Sequence, residues 1–96
     1  MPNLKDLKAR RESILACAER HGAMSVRIFG SISRGEENEK SDIDFLVRFE
    51  GKRSLIDHAG LIEELAALLG VTVDVVDEGG LSPYLRDEVL QAAVPL

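Results

Sequence analysis

One cysteine, no tryptophan and four aromatic residues in all are what this 96-residue chain carries of those types. With Cys17 alone, an internal disulfide and a cysteine-based zinc site are both excluded. Cys17 stands between Ala16 and Ala18 in a helical pattern, which reads as buried filler rather than a reactive thiol. Phe29, Phe45 and Phe49 lie in apolar, strand-like runs, so with only Tyr84 besides, the aromatics suit packing better than base stacking. Positive charge is also in deficit: the formal net charge is −5. An extended nucleic-acid surface needs clustered Lys and Arg to displace counterions from phosphates. A nucleic-acid macromolecule is therefore disfavoured, whereas a single nucleotide is not. No apolar run approaches the roughly 20 residues of a membrane helix. The stretch from Met1 to Arg11 is polar and lacks the apolar core of a secretory signal. These absences predict a cytoplasmic protein with no membrane role. Repeats, low-complexity tracts and proline-rich linkers are missing too, and the length predicts a single domain over residues 1–96 with a small core.

The apolar residues that are present fall into periodic segments. Leu4, Leu7, Ile14, Leu15 and Ala18 share one side of a helix predicted from about Leu4 to Arg20, which His21-Gly22 closes. Ser25 to Phe29 reads as a strand stopped by Gly30-Ser31. Ile32 to Lys40 is polar and reads as a turn or short helical turn followed by a loop. Asp42 to Phe49 returns to strand. Ser54 is a predicted N-cap, with Asp57 at the positive end of a helix running to Leu69 and burying Leu55, Ile62, Leu65, Ala66 and Leu69. Gly70 ends it, and Val71 to Val76 is a third strand. Gly79-Gly80 turns the chain, and Ser82-Pro83 opens a last helix. The order implies a small α/β (α+β) domain with a central sheet of at least three strands, whose order stays open.

The chemistry is carried by acids in the wrong place for a core. Alternation along a strand puts Asp42 and Asp44 on one face and Ile43, Phe45 and Val47 on the other. Two like charges at the head of a strand repel, and aspartate is a poor strand former. A sequence tolerates this more readily if a hard, oxygen-seeking cation such as Mg²⁺ neutralises the pair. Asp74 interrupts the apolar run Val71 to Val76, where a lone acid wants a hydrogen-bonding partner or a metal. Were that strand beside the Asp42 strand, the three carboxylates would converge and could hold two ions. Asp74 could then serve as ligand or as general base toward an attacking hydroxyl. Before them, Gly30 lets an anion approach successive backbone N–H groups, Ser31 adds a hydroxyl and Arg34 a guanidinium. Lacking Gly-Lys-Ser/Thr, this turn is no P-loop.

Gly30-Ser31, ten intervening residues and then Asp42-Ile43-Asp44 resemble the signature of the polymerase-β-like nucleotidyltransferases. The fuller stretches Phe29 to Gly35 and Ser41 to Val47, with Val73-Asp74-Val75-Val76 and the tail from Leu81 to Leu96, resemble the minimal nucleotidyltransferase (MNT) subgroup. Ser33 stands where many relatives carry alanine. The resemblance implies the nucleotidyltransferase fold, a mixed sheet flanked by helices. It implies Mg²⁺ dependence and an NTP donor, with AMP from ATP the favoured case and the base preference open. It also implies a partner, since members of this subgroup act as antitoxins to HEPN-domain toxins and some attach AMP to a tyrosine of the toxin. A chain this short has no obvious acceptor-binding domain, which is compatible with an acceptor brought by another protein.

Blander readings attach to the other polar residues. Arg48 shares the parity of Asp42 and Asp44 and suits a salt bridge as well as a nucleotide. His21 and His58 have no second ligand in register. Asp77 and Glu78 read as solvated loop acids, and Glu36, Glu37 and Glu39 as an acidic loop suited to a basic partner. The leucine stripe of the helix over 54–69 is core by default and a dimer or toxin surface where exposed. Two rival functions remain beside the enzyme: an antitoxin that neutralises only by binding, and nucleotidyl transfer to a small molecule.

Overall fold

The computed structural model describes residues 2–30, 42–51 and 55–96. Helix α1 (Leu4–Ala9) opens on a reciprocal cap, in which Asn3 Oδ1 accepts from the Asp6 amide and Asp6 Oδ2 accepts from that of Asn3. The single helix expected from Leu4 to Arg20 is two. The chain breaks at Arg10 (φ −102°, ψ 19°) before α2 (Arg11–Arg20). Arg10 Nη1 there donates to the Leu68 carbonyl at 2.9 Å, an interaction no helical periodicity contains.

Strands β1 (Ala23–Phe29) and β2 (Ile43–Phe49) pair antiparallel. Helix α3 (Leu55–Leu69) then crosses to β3 (Val73–Asp77), which pairs parallel with β2. A 3₁₀ turn at Glu78–Gly80 leads to α4 (Pro83–Ala92), and β4 (Val94–Pro95) closes the sheet on the far edge of β1. The order β3-β2-β1-β4 makes a four-stranded mixed sheet, one strand more than the minimum expected. β1 starts two residues earlier than predicted because it continues through a bulge. The register shifts between Met24 and Arg27, and Ser25 takes a left-handed φ of 53°.

Helices α1, α2 and α3 cover one face of the sheet. Leu7, Ile14, Cys17, Leu61 and Leu65 pack there against Val26, Ile28, Ile43, Phe45, Val47, Val73 and Val75. Leu55, expected in this core, is instead 86% exposed at the first turn of α3. The predicted cap Ser54 lies outside the described residues. Between α2 and α3, Glu64 gathers polar groups: Arg20 Nη2 donates to its Oε2 at 2.6 Å and the Cys17 thiol to the same oxygen at 3.1 Å. Arg20, then Cys17, hold the Glu64 carboxyl down at about 2. Burial, reinforced by Glu64, pushes the Cys17 thiol up to about 12, which agrees with its reading as an inert filler. Among the described residues no helix is long and apolar enough to cross a membrane.

Candidate functional site

The face of the sheet turned away from α1–α3 carries the acids. β2 places Ile43, Phe45 and Val47 wholly in the helical core, so Asp44 and Leu46 necessarily face the other way. In the parallel ladder Asp44 is the register partner of Asp74, and in the antiparallel ladder it is that of Phe29. Neighbouring strands lie about 4.8 Å apart, so the Asp44 and Asp74 carboxyls leave the sheet side by side. Asp44 is half-buried and Asp74 exposed. Asp42, also exposed, immediately precedes β2, whose start is tied down by the Ile43 amide donating to the Thr72 carbonyl at 3.2 Å. The adjacency of the two strands, on which convergence of the acids depended, is thus present.

Gly30 follows Phe29 with φ +81°, and a Cβ built on it would run into the Asp44 carboxylate, with Cγ only 3.2 Å away. Glycine is needed here on two counts: the left-handed backbone and the close approach of the Asp44 carboxylate. The sequence suggested only a close approach by phosphate. Ser31 and Arg34, the other two residues of the expected phosphate turn, lie outside the described residues, as do Glu36, Glu37 and Glu39.

The donor set suits a hard divalent cation: all-oxygen ligands, at least two of them carboxylates in register on one face. Among the described residues no three carboxylate, imidazole or thiol groups gather closely enough to cage an ion by themselves. Mg²⁺ characteristically uses one or two carboxylates and completes its octahedron with water and substrate phosphate, so an open pair of this kind fits it better than a closed cage.

Sequence reasoning missed a second feature of this face. Glu78, read as a solvated loop acid, is only 6% exposed. Its Oε2 accepts from Arg27 Nη1 at 3.3 Å and its Oε1 from Arg86 Nη2 at 3.4 Å. The correction has a physical cause: the 3₁₀ turn, capped by Asp77 Oδ1 on the Gly79 amide at 3.0 Å, folds Glu78 back over the sheet toward β1. The signal available was Arg27 itself, a charge within Val26-Arg27-Ile28-Phe29 that needs an acid. Arg48, which shares the face of Asp44, is exposed near the far end of β2. The histidines sit elsewhere: His58 Nε2 is 2.6 Å from the Val75 carbonyl with its ring against Phe49, and His21 lies beside Glu64 and Gly60.

Comparison with known proteins bears on the family and the fold. The model of the nucleotidyltransferase domain family matches residues 10–96. The protein adenylyltransferase MntA of Thermococcus cleftensis is 43% identical over 76 residues, which cover 79% of this chain and 77% of that one. Among solved structures, a protein put forward as a minimal nucleotidyltransferase superposes with a TM-score of 0.89 at 55% identity, over 99% of this chain and 97% of the other. A toxin–antitoxin structure with AMP-PNP superposes with a TM-score of 0.75 at 27% identity, over 88% and 69% of the two chains.

Proposed function

This chain belongs to the nucleotidyltransferase family, and from that premise we propose that it moves AMP from ATP to a hydroxyl of a partner protein, as the antitoxin of a HEPN-type toxin. The observation that carries the reading is the register pairing of Asp44 with Asp74, with Gly30 pressed against the Asp44 carboxylate. The MntA relative is named as a protein adenylyltransferase, and the toxin–antitoxin neighbour was solved with an ATP analogue. Both support the acceptor class and the donor.

In the reaction the hydroxyl oxygen of the acceptor attacks the α-phosphorus of ATP. The bond from that phosphorus to the bridging oxygen breaks, and pyrophosphate leaves. Asp42, Asp44 and Asp74 would hold Mg²⁺, two ions in the fullest form of the reading. Bound there, the metal would supply charge neutralisation to the triphosphate. Asp74, on the edge strand β3, would act either as a further ligand or as the base that takes the hydroxyl proton as the new bond forms. Gly30, with Ser31 and Arg34, would receive the phosphates, the backbone amides and guanidinium orienting them for in-line displacement.

The test uses purified protein, Mg²⁺ and ATP labelled at the α-phosphate, with and without a co-expressed HEPN-type neighbour whose intact mass is recorded. The expected outcome is a gain of one or more AMP on the neighbour, abolished by EDTA. Asp42→Ala with Asp44→Ala should reduce it by at least about 10²-fold, the usual scale for lost transition-state charge stabilisation. Label that fails to transfer, with the double variant still neutralising the toxin, would instead establish an antitoxin that works by binding. Label appearing on a small-molecule acceptor rather than on protein would establish the third reading.

A further inference from the structure

The reading above leaves the Arg27–Glu78–Arg86 cluster unused, although it sits on the same face as the acids. Arg27 and Phe29 project from β1 to the side on which Asp44 and Leu46 project from β2, because Phe29 pairs with Asp44 and Arg27 with Leu46. Arg27 is therefore the diagonal cross-strand neighbour of Asp44, about 7–8 Å away between backbones and within reach of a long side chain. A guanidinium in that position has two acids to choose from. It goes to Glu78 at 3.3 Å, which is nearly buried and shares its other oxygen with Arg86. The preference has a physical basis: a carboxylate that far from water is costly to leave unpaired, and Glu78 is met by both Arg27 and Arg86.

We propose that Glu78 is a positioning residue that keeps the Arg27 guanidinium off the aspartates, and thereby sets how tightly they take a divalent cation. This rests on the metal-binding reading of Asp42, Asp44 and Asp74. Arg27 is fixed on β1, an inner strand that Gly30 follows, so it cannot be moved out of range of Asp44. It can only be engaged elsewhere. Glu78 does this from the 3₁₀ turn directly after β3, the strand that carries Asp74. Without the Glu78 charge, Arg27 pairs with Asp44 and competes with the metal for the same oxygens.

The experiment titrates Mn²⁺, as a spectroscopic substitute for Mg²⁺, into the folded protein and follows free Mn²⁺ by electron paramagnetic resonance. It is run with and without a non-hydrolysable ATP analogue, and circular dichroism checks the fold. Glu78→Gln keeps the shape and removes the charge. It should weaken Mn²⁺ binding by about 10-fold or more, the scale on which outer residues tune metal sites. Adding Arg27→Met to it should return the affinity to near that of the unsubstituted protein. If Glu78→Gln does not fold, Glu78→Asp, which withdraws the carboxylate by one methylene, takes its place with the same expected order. Unchanged Mn²⁺ affinity in the folded single variant overturns the proposal. So does a double variant as weak as the single, since Glu78 would then matter only for packing. An unsubstituted protein that binds no Mn²⁺, with or without nucleotide, sinks the metal-binding reading itself and this inference with it.

Discussion

Gly30 and Asp44 constrain each other at the scale of single atoms. The carboxylate occupies the space a Cβ would need, and the backbone adopts a φ of +81°. Gly30→Ala must therefore strain the chain by about 1–3 kcal/mol and push Asp44 aside. Urea unfolding should register the loss and the AMP-transfer assay should fall with it; an alanine variant of native stability and activity would refute the argument. Glu64 offers a second prediction. Its carboxyl is held at about 2 in the folded protein, against 4.5 ordinarily. A depressed acid contributes its stabilisation fully above about 4.5 and loses it as pH falls toward 2. The stability difference between the native protein and Glu64→Gln should accordingly shrink over that window. Cys17, buried with its thiol at about 12, should ignore Ellman's reagent at pH 8 until denaturant exposes it. The pair Asp42 and Asp44 was legible in the sequence because acids at the head of an apolar strand break a local rule. Glu78 was not, because an acid after a strand and before two glycines breaks none. Only its approach to Arg27, far away in the chain, gives it meaning.

Elements read from periodicity survived where an apolar face marked them. The strands β1, β2 and β3 lie within one or two residues of their expected ends, and α3 ends at Leu69 as expected. The departures come from tertiary contacts: Arg10 breaks the first helix while reaching the end of α3, and β4 exists only as a brief addition to the edge of β1. α3 is the element whose loss would matter most, since Leu61 and Leu65 are inserted into the sheet's covered face. Leu65→Ala should cost about 2–5 kcal/mol, read from the midpoint of urea unfolding. α4 has no buried residue and is tied to Glu78 through Arg86. Its amides should exchange with deuterium well before those of α3.

In the whole molecule, the sheet divides labour between its two faces, with apolar packing under α1–α3 and ionisable chemistry opposite. Fold class followed from the sequence because each strand's two sides differ so sharply in polarity. Strand order did not, since alternation assigns faces but not neighbours. That order has one last consequence. Asp44 and Asp74 both belong to the continuous unit β2–α3–β3, and their alignment is set by a ladder of backbone hydrogen bonds within it. The segment joining β1 to β2, where Ser31 and Arg34 lie, is outside that unit. Descendants of such a protein could lengthen or shorten that segment without respacing the two acids. The length of that segment and the spacing of the acids are thus free to evolve at different rates on one small scaffold.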